Sequence, residues 1–346
     1  MKLAIVYDRV NKWGGAERVL LTLHEIWPDA PLYTAVYDKK RAKWADVFEV
    51  HPSFLGNLPH EFLPWITPMA FESFDFNGYD VVLSVTSAEA KDIITKPGTK
   101  HFCYCLTPTR YLWNASRAHE SLGFSGAMLR LWAPTLRKWD LVASARPDTY
   151  IAISKHVAKR ITTYYHRNAQ VIYPPVDTDK FKVESRKSKV GDYFLCVSRL
   201  VPYKKVDVVI RAFNKLGKKL VIVGTGSQER YLRSIAKPNI SFVGDLTDRE
   251  LAAYYQRSRA FVSAADEDFG IVSLEAQACG KPVICPRDSG MAETVIEGVT
   301  GELFDKDLIK TLQMFMKKRY DSRLCRRNAE KFAVERFKKE MKEAIQ

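Results

Sequence analysis

Short apolar runs alternate with helical patterns along this whole chain, and that alternation leaves few folds open. Leu3–Tyr7, Val81–Val85, Lys100–Leu106, Thr149–Ile153 and Gln170–Tyr173 read as strands, with a helix over Ala16–Ile26 after the first. The habit then repeats: Tyr193–Ser198, Lys219–Val223, Ile240–Val243, Ala260–Ser263 and Pro282–Cys285 read as strands, and Val206–Leu216 as a helix. Strands that are apolar throughout are buried on both faces, which predicts parallel sheets covered by helices. The 346 residues suit two such domains at roughly 150 residues each. The break is expected at Tyr173-Pro174-Pro175-Val176-Asp177, because a Pro-Pro pair cannot continue a ladder and stiffens a link. Residues 182–192 are polar and read as a loop before the second sheet.

Hydrophobic residues make up 46% and charged residues 27% of the chain, which excludes disorder as its main state. No run approaches the ~18 apolar residues of a spanning helix. Asp8 and Arg9 cut short the only N-terminal apolar run, so no signal peptide is expected. Six cysteines without a C-x-x-C pair predict reduced, mostly buried thiols and a cytoplasmic setting.

The net charge of +14 is concentrated. Residues 110–167 carry 10 basic and 3 acidic groups, and residues 310–346 carry 12 and 5, whereas residues 168–309 are near neutral. Such excess draws a protein toward something anionic. Nucleic acid is not expected, because neither a reader motif nor a basic, aromatic-rich sheet face is present.

Open parallel sheets bind ligands at the carboxyl ends of their strands, so the loops there carry the candidates. Gly14-Gly15-Ala16-Glu17 opens the first helix; its exposed N–H groups suit an anion, and it serves equally as a plain turn. Ser198-Arg199-Leu200, with Lys204 following, sets two cations in a strand-to-helix loop, a credible diphosphate clamp. Gly224-Thr225-Gly226 starts like a dinucleotide fingerprint, but Glu229 stands at the last glycine position, which argues against that cofactor. Glu267-Asp268-Phe269-Gly270-Ile271-Val272-Ser273-Leu274-Glu275 is the most telling string. Its first glutamate lies in a loop, Gly270 turns the chain, and Glu275 sits inside the following helix. A carboxylate there can accept from a ribose diol while loop N–H groups meet phosphate.

The strings GGAERVL (14–20), TPTRYLW (107–113), ISKHVAKRI (153–161), VIYPPVDTDKF (171–181), VSRLVPYKKVD (197–207), VIVGTGSQ (221–228), EDFGIVSLEAQACGKPVI (267–284) and ETVIEGVTGELF (293–304) together resemble glycosyltransferase family 4. The pattern is most similar to its mannosyltransferase branch of bacterial surface polysaccharide synthesis. The resemblance implies the GT-B fold: two Rossmann-like parallel-sheet domains facing a cleft, with a C-terminal helix crossing back. It divides the chain into an acceptor-binding domain over 1–173, joined by about 326–346, and a nucleotide-sugar-binding domain over 174–325. It implies retaining transfer of a hexose, mannose from GDP-mannose by best match, to a saccharide or lipid-linked acceptor. No metal and no cofactor are implied. The alternatives are a UDP-sugar donor, or an inactive subunit that only binds.

The same resemblance assigns roles. Arg199 and Lys204 hold the donor diphosphate, with Ser198, Gly224 and Gly226 shaping that site. Glu267 and the Phe269, Gly270, Ile271, Val272 loop orient the donor sugar, Glu275 holds the ribose, and Gly15 brings the first helix to the donor phosphate or the acceptor. Asp266-Glu267-Asp268 spells a metal signature of other transferases, but it overlaps the glutamate string and is read as metal-free; Asp177-Thr178-Asp179 is read as a structural loop. One departure matters. Relatives place a histidine just before the Thr-Pro of the first-domain motif, where this chain has Leu106. His101 cannot substitute, since strand alternation turns it to the other face. Arg110 or Tyr111 could act there, and Ser154 and His156 are further candidates on the acceptor side. His24, His51, His60, His119 and His166 are read as surface or packing residues.

Gly123–Asp140 mixes aromatics with Arg130, Arg137 and Lys138, which suits a membrane interface. Pro134 predicts two short helices or a bent one. A last basic helix is expected from about Arg323 to Ile345. If it crosses back, both basic segments lie in the first domain, and a peripheral place on an anionic membrane face follows for 110–167 and 310–346.

Overall fold

A computed structural model of the protein describes residues 1–56, 65–113, 123–181 and 191–346, the side chains of 123–130 excepted. The readings of His60, His119 and the 182–190 loop lie outside the described residues, as does 114–122 of the basic segment. The chain divides into two compact units, residues 1–173 with 337–346, and residues 174–336.

In the first unit, the described strands form a parallel sheet in the order β3-β2-β1-β4-β5-β6-β7. They are β1 (Leu3–Val10), β2 (Leu32–Tyr37), β3 (Val50–Pro52), β4 (Val81–Thr86), β5 (Lys100–Cys105), β6 (Thr149–Ala152) and β7 (Ala169–Val171). β1 and β4 are buried along nearly their whole length, with Ile5 opposite Leu83 and Val6 opposite Ser84. That burial is why they read as unbroken apolar runs. The helix Gly15–Ile26 buries Val19, Leu20, Leu23 and Ile26, one face at helical spacing. Ala4, Val6, Val36, Phe71, Phe76, Val82 and Ile93 belong to a core cluster on this sheet.

In the second unit, the described strands run parallel in the order β10-β9-β8-β11-β12-β13. These are β8 (Tyr193–Val197), β9 (Lys219–Val223), β10 (Ile240–Val243), β11 (Phe261–Val262), β12 (Val283–Pro286) and β13 (Gly301–Phe304). The helix Val206–Leu216 turns Val206, Val209, Ile210 and Phe213 inward. There they join Phe194, Leu220, Ile222, Val262, Ile284, Leu312 and Phe315. Thr247 and Glu250 close a reciprocal capping box at the start of helix Asp248–Arg257.

Gly123–Ser144 forms one helix through Pro134, which removes the two-helix alternative and leaves the single-helix one. Ala133, Leu136, Asp140 and Ala143 are buried on its inner side, and that packing outweighs the bond lost at proline. The last basic stretch is two helices, Ser322–Glu330 and Val334–Ile345. Between them the backbone leaves helical pairing to meet the linker: Val176 donates to the Phe332 carbonyl at 3.0 Å, and Val176 bridges Ala333. The two basic segments do not share a unit. Residues 310–336 lie in the second, held by Leu312 and Phe315 in its core, and only 337–346 join the first. There Phe337 meets Tyr104 at 5.8 Å and Lys338 pairs with Glu25 at 2.8 Å. The six cysteines are free and buried. Among the described residues, no helix is long and apolar enough to cross a membrane.

Candidate functional site

β8 lies between β9 and β11, so the chain leaves it to one side and returns on the other. Such a switch point opens a crevice at the carboxyl ends of the two strands. The loops following β8 and β11 hold the strongest candidates. Lys204 ends the short turn Pro202–Lys204, and its Nζ donates to Glu267 Oε1 at 2.5 Å, joining the two loops. Both side chains keep a solvent face, 14% and 18% exposed. Arg199 is exposed and its guanidinium donates to the Tyr203 hydroxyl. The Tyr203 ring lies 5.8 Å from that guanidinium and 5.2 Å from the Lys204 ammonium. Two cations therefore sit together at this edge, their rotamers limited by one ring. Cys196, on β8 beneath them, is pushed up to about 12, first by burial and then by the Glu267 charge.

The glycines act through space. A Cβ on Gly224, whose φ is +128°, would lie 2.1 Å from the Ser198 carbonyl oxygen. One on Gly226 would lie 2.4 Å from that of Leu200. The loops after β8 and β9 thus run backbone to backbone, pinned by Leu200 N to Thr225 O at 2.8 Å and Gln228 N to Leu200 O at 2.9 Å. Ser198, half-buried, extends the ladder through its N–H to Val223 O at 3.0 Å. Gly290 plays the same part for the glutamate loop, and sequence reasoning passed over it. Its N–H donates to Glu267 O at 2.7 Å, and a Cβ would lie 2.0 Å from Asp268 O. The available signal was Asp288-Ser289-Gly290, one residue beyond β12.

Gly270, at φ +85°, turns the loop into helix Ile271–Ala278. Ile271 and Val272 are half-exposed in the first turn, where N–H groups have no partner inside the helix. Phe269 is buried against Phe332 at 5.9 Å. Glu275 is 3% exposed, and the Tyr255 hydroxyl donates to its Oε2 at 3.2 Å. Asp268 is buried, and Glu267 is engaged by Lys204.

The first unit has its switch point between β1 and β4. Gly15 is exposed at the helix start, and Glu17 in that turn is buried, accepting from Tyr7 Oη at 2.6 Å. Behind this lies a buried polar cluster that sequence reasoning missed. Asp8 accepts from Thr86 Oγ1 at 2.8 Å, Ser87 N at 2.6 Å and Ala90 N at 2.9 Å. Arg9 pairs with Glu89 at 3.0 Å, and the Tyr111 hydroxyl donates to the same carboxylate. Lys91, 1% exposed, donates to Asp140 at 2.5 Å, Asp92 at 3.0 Å and the Ala88 carbonyl at 3.0 Å. Trp113 Nε1 donates to the other Asp140 oxygen at 2.6 Å. Burial pushes Asp92 up to about 7, against the pull of Lys91.

The remaining candidates get plainer parts. Ser154 caps helix Lys155–Tyr165 by accepting from Val157 N at 3.0 Å. His156 is half-buried in that first turn, and Arg110 is half-exposed on helix Arg110–Trp113. Leu106 is half-buried. His101 is enclosed, bonded through Nε2 to Ser84 at 2.8 Å, and burial lowers it to about 3, so it stays neutral.

Residues 177–332 match the family model described as glycosyl transferases group 1. Among solved structures, the sucrose-phosphate synthase of Thermosynechococcus elongatus superposes with a TM-score of 0.77 at 16% identity, covering 99% of this chain and 98% of that one. Alr3699/HepE of Anabaena, solved in complex with UDP, superposes with a TM-score of 0.73 at 18% identity over 99% of each chain.

The fold is GT-B.

Within this GT-B chain the family match falls on the second unit and contains every residue from Arg199 to Glu275 singled out above. The GDP-mannose-dependent alpha-(1-6)-phosphatidylinositol monomannoside mannosyltransferase of Mycolicibacterium smegmatis is 30% identical over 187 residues, 46% of this chain and 49% of that protein. The chain thus matches about half the length of such curated relatives.

Proposed function

We propose that the chain is a retaining, metal-independent glycosyltransferase that moves a hexose from a nucleoside-diphosphate sugar to a saccharide or lipid-linked acceptor. The observation that carries this reading is the Lys204–Glu267 pair across the two loops at the β8/β11 switch point, beside Arg199 and a helix start. An ion pair that keeps a solvent face can exchange partners. A diphosphate entering here replaces Glu267 on Lys204, and the freed carboxylate then accepts from donor-sugar hydroxyls. Arg199 and Lys204 stabilise the charge that grows on the leaving diphosphate, and being preset they reorganise little as it forms. The bond from the anomeric carbon to the β-phosphate oxygen breaks as the bond to the acceptor oxygen forms on the same face. The acceptor proton passes to a phosphate oxygen, and nothing is oxidised or reduced. The Tyr255-held Glu275 accepts from the ribose.

GDP-mannose is our proposed donor, supported by the donor named for the Mycolicibacterium relative. Thermal-shift measurement with GDP, UDP and ADP tests it: stabilisation by GDP is expected, and stabilisation by UDP alone overturns the assignment. For the acceptor we propose a saccharide carried at an anionic membrane surface. Leu131, Trp132 and Val142 are exposed on one helix, and Trp65 lies 5.9 Å from Trp132. Flotation with anionic but not neutral vesicles is the expected result.

A further inference from the structure

The carboxyl edge of the first sheet carries an aromatic shelf that the transfer chemistry leaves unused. Trp13 follows β1 and precedes Gly14, and it is 50% exposed. Trp44 stands in the turn Lys43–Val47 after β2, with its ring centroid 6.5 Å from that of Trp13 at an interplanar angle of 52°. Trp44 is itself fixed. Its Nε1 donates to the Lys12 carbonyl at 2.8 Å, and its ring meets Phe48 edge-on at 6.2 Å. Asp38 N donates to Val10 O at 2.8 Å, tying the two loops at their roots. The Arg18 guanidinium lies 6.0 Å from the Trp13 ring. The loop that presents Trp13 is therefore braced by a second indole, with Arg18 against the exposed ring.

We infer that Trp13, braced by Trp44 and flanked by Arg18, is a stacking platform for a pyranose ring of the acceptor. The C–H face of a pyranose presents weakly positive hydrogens, which suit the negative face of an indole. A rigid aromatic loses little side-chain entropy when it binds. Arg18 supplies donors for ring hydroxyls beside the stacked face. A lipid chain suits the place less well, because Lys12, Lys43 and Arg18 break the apolar surface around a single exposed indole. The platform lies within the first unit and stands on geometry alone; only its assignment to the acceptor rests on the transferase reading.

The test uses full-length protein carrying 5-fluorotryptophan and followed by fluorine NMR. Seven tryptophans are present, and the Trp13 signal is the one lost in Trp13→Phe. The probes are the methyl glycosides of mannose, glucose and N-acetylglucosamine. A saturable shift of the Trp13 signal with at least one of them is expected, with binding weakened at least tenfold in Trp44→Leu. A second variant, Arg18→Gln, should weaken it less while leaving Trp13 in place. A Trp13 signal unmoved by all three glycosides overturns the platform. So does one moved only by GDP, which would mean base stacking, or only by anionic vesicles. Donor binding is read separately by thermal shift with GDP and UDP, so a failed transferase reading leaves the glycoside result standing.

Discussion

The two sheets place charged side chains at the same topological position and treat them in opposite ways. In the second unit, Lys204 and Glu267 face solvent in part and pair with each other. In the first, Lys91 and Asp140 are almost wholly enclosed, and Lys91 has two carboxylates, a hydroxyl and a carbonyl around it. A charge that keeps a solvent face and a single partner can trade that partner for a ligand. A charge enclosed by several partners can only hold the fold. The difference separates binding from bracing more sharply than charge or motif does.

Breaking the braced side should have the largest effect. Lys91→Met leaves Asp92 and Asp140 without their cation, and removing one partner of a buried pair costs about 3–5 kcal/mol. Urea unfolding should show a matching fall in midpoint; an unchanged midpoint would mean that the cluster is not a brace. Breaking the trading side should instead spare stability. Lys204→Ala is expected to lower kcat/KM by about two to three orders of magnitude, the usual loss for one preset donor at a developing charge. Its melting temperature should stay near that of the parent, and a large drop in melting would refute the division of labour.

The enclosed cluster also sets a pH signature. One buried cation faces two carboxylates, and Asp92 is raised to about 7 from its ordinary 3.8. Between those values the folded state binds a proton that the unfolded state has released, so stability falls as pH rises through this window. His101, lowered to about 3, gives the opposite slope below its ordinary 6.5. The informative quantity is therefore the difference between the parent and Asp92→Asn. The variant should remove a downward slope on the order of 1 kcal/mol per pH unit; parallel stability curves from pH 4 to pH 7 would sink the assignment. The smallest effect is expected at Leu106, where Ala should leave turnover nearly unchanged. A large fall in kcat would show that this position does more than pack.

The second unit was more legible than the first because its candidate site is local in sequence. Arg199 and Lys204 lie within one loop, Glu267 and Glu275 within one loop and helix, and each string announces its own geometry. Lys91 and Asp140 are separated by 49 positions, and only the packing of β4, β5 and the Gly123–Ser144 helix brings them together. No single window could show that. β2, β3 and β13 were passed over for a similar reason: they lie toward or at the sheet edges, where burial is partial and the apolar run is short or broken. The charge excess misled because it is a property of segments. Within the +7 of residues 310–346, about Arg323 to Ile345 reads as one helix, while Phe332 and Ala333 pair their backbone with Val176 and the segment divides between two units. Gly290 left a signal that only the Asp268 carbonyl explains, 2.0 Å from where a Cβ would lie.

Residues 337–346 bear on how the chain is made. Phe337, Met341 and Ile345 are buried at 0–3% exposure and complete the first unit, yet they are synthesised after every residue of the second. Domains fold largely as units while the ribosome extends the chain. Here the unit that begins first must wait, partly open, until the later one has been translated in full. A stop codon at position 337 would therefore injure the part of the protein farthest from it in sequence, and limited proteolysis of such a truncation should cut first within residues 1–173.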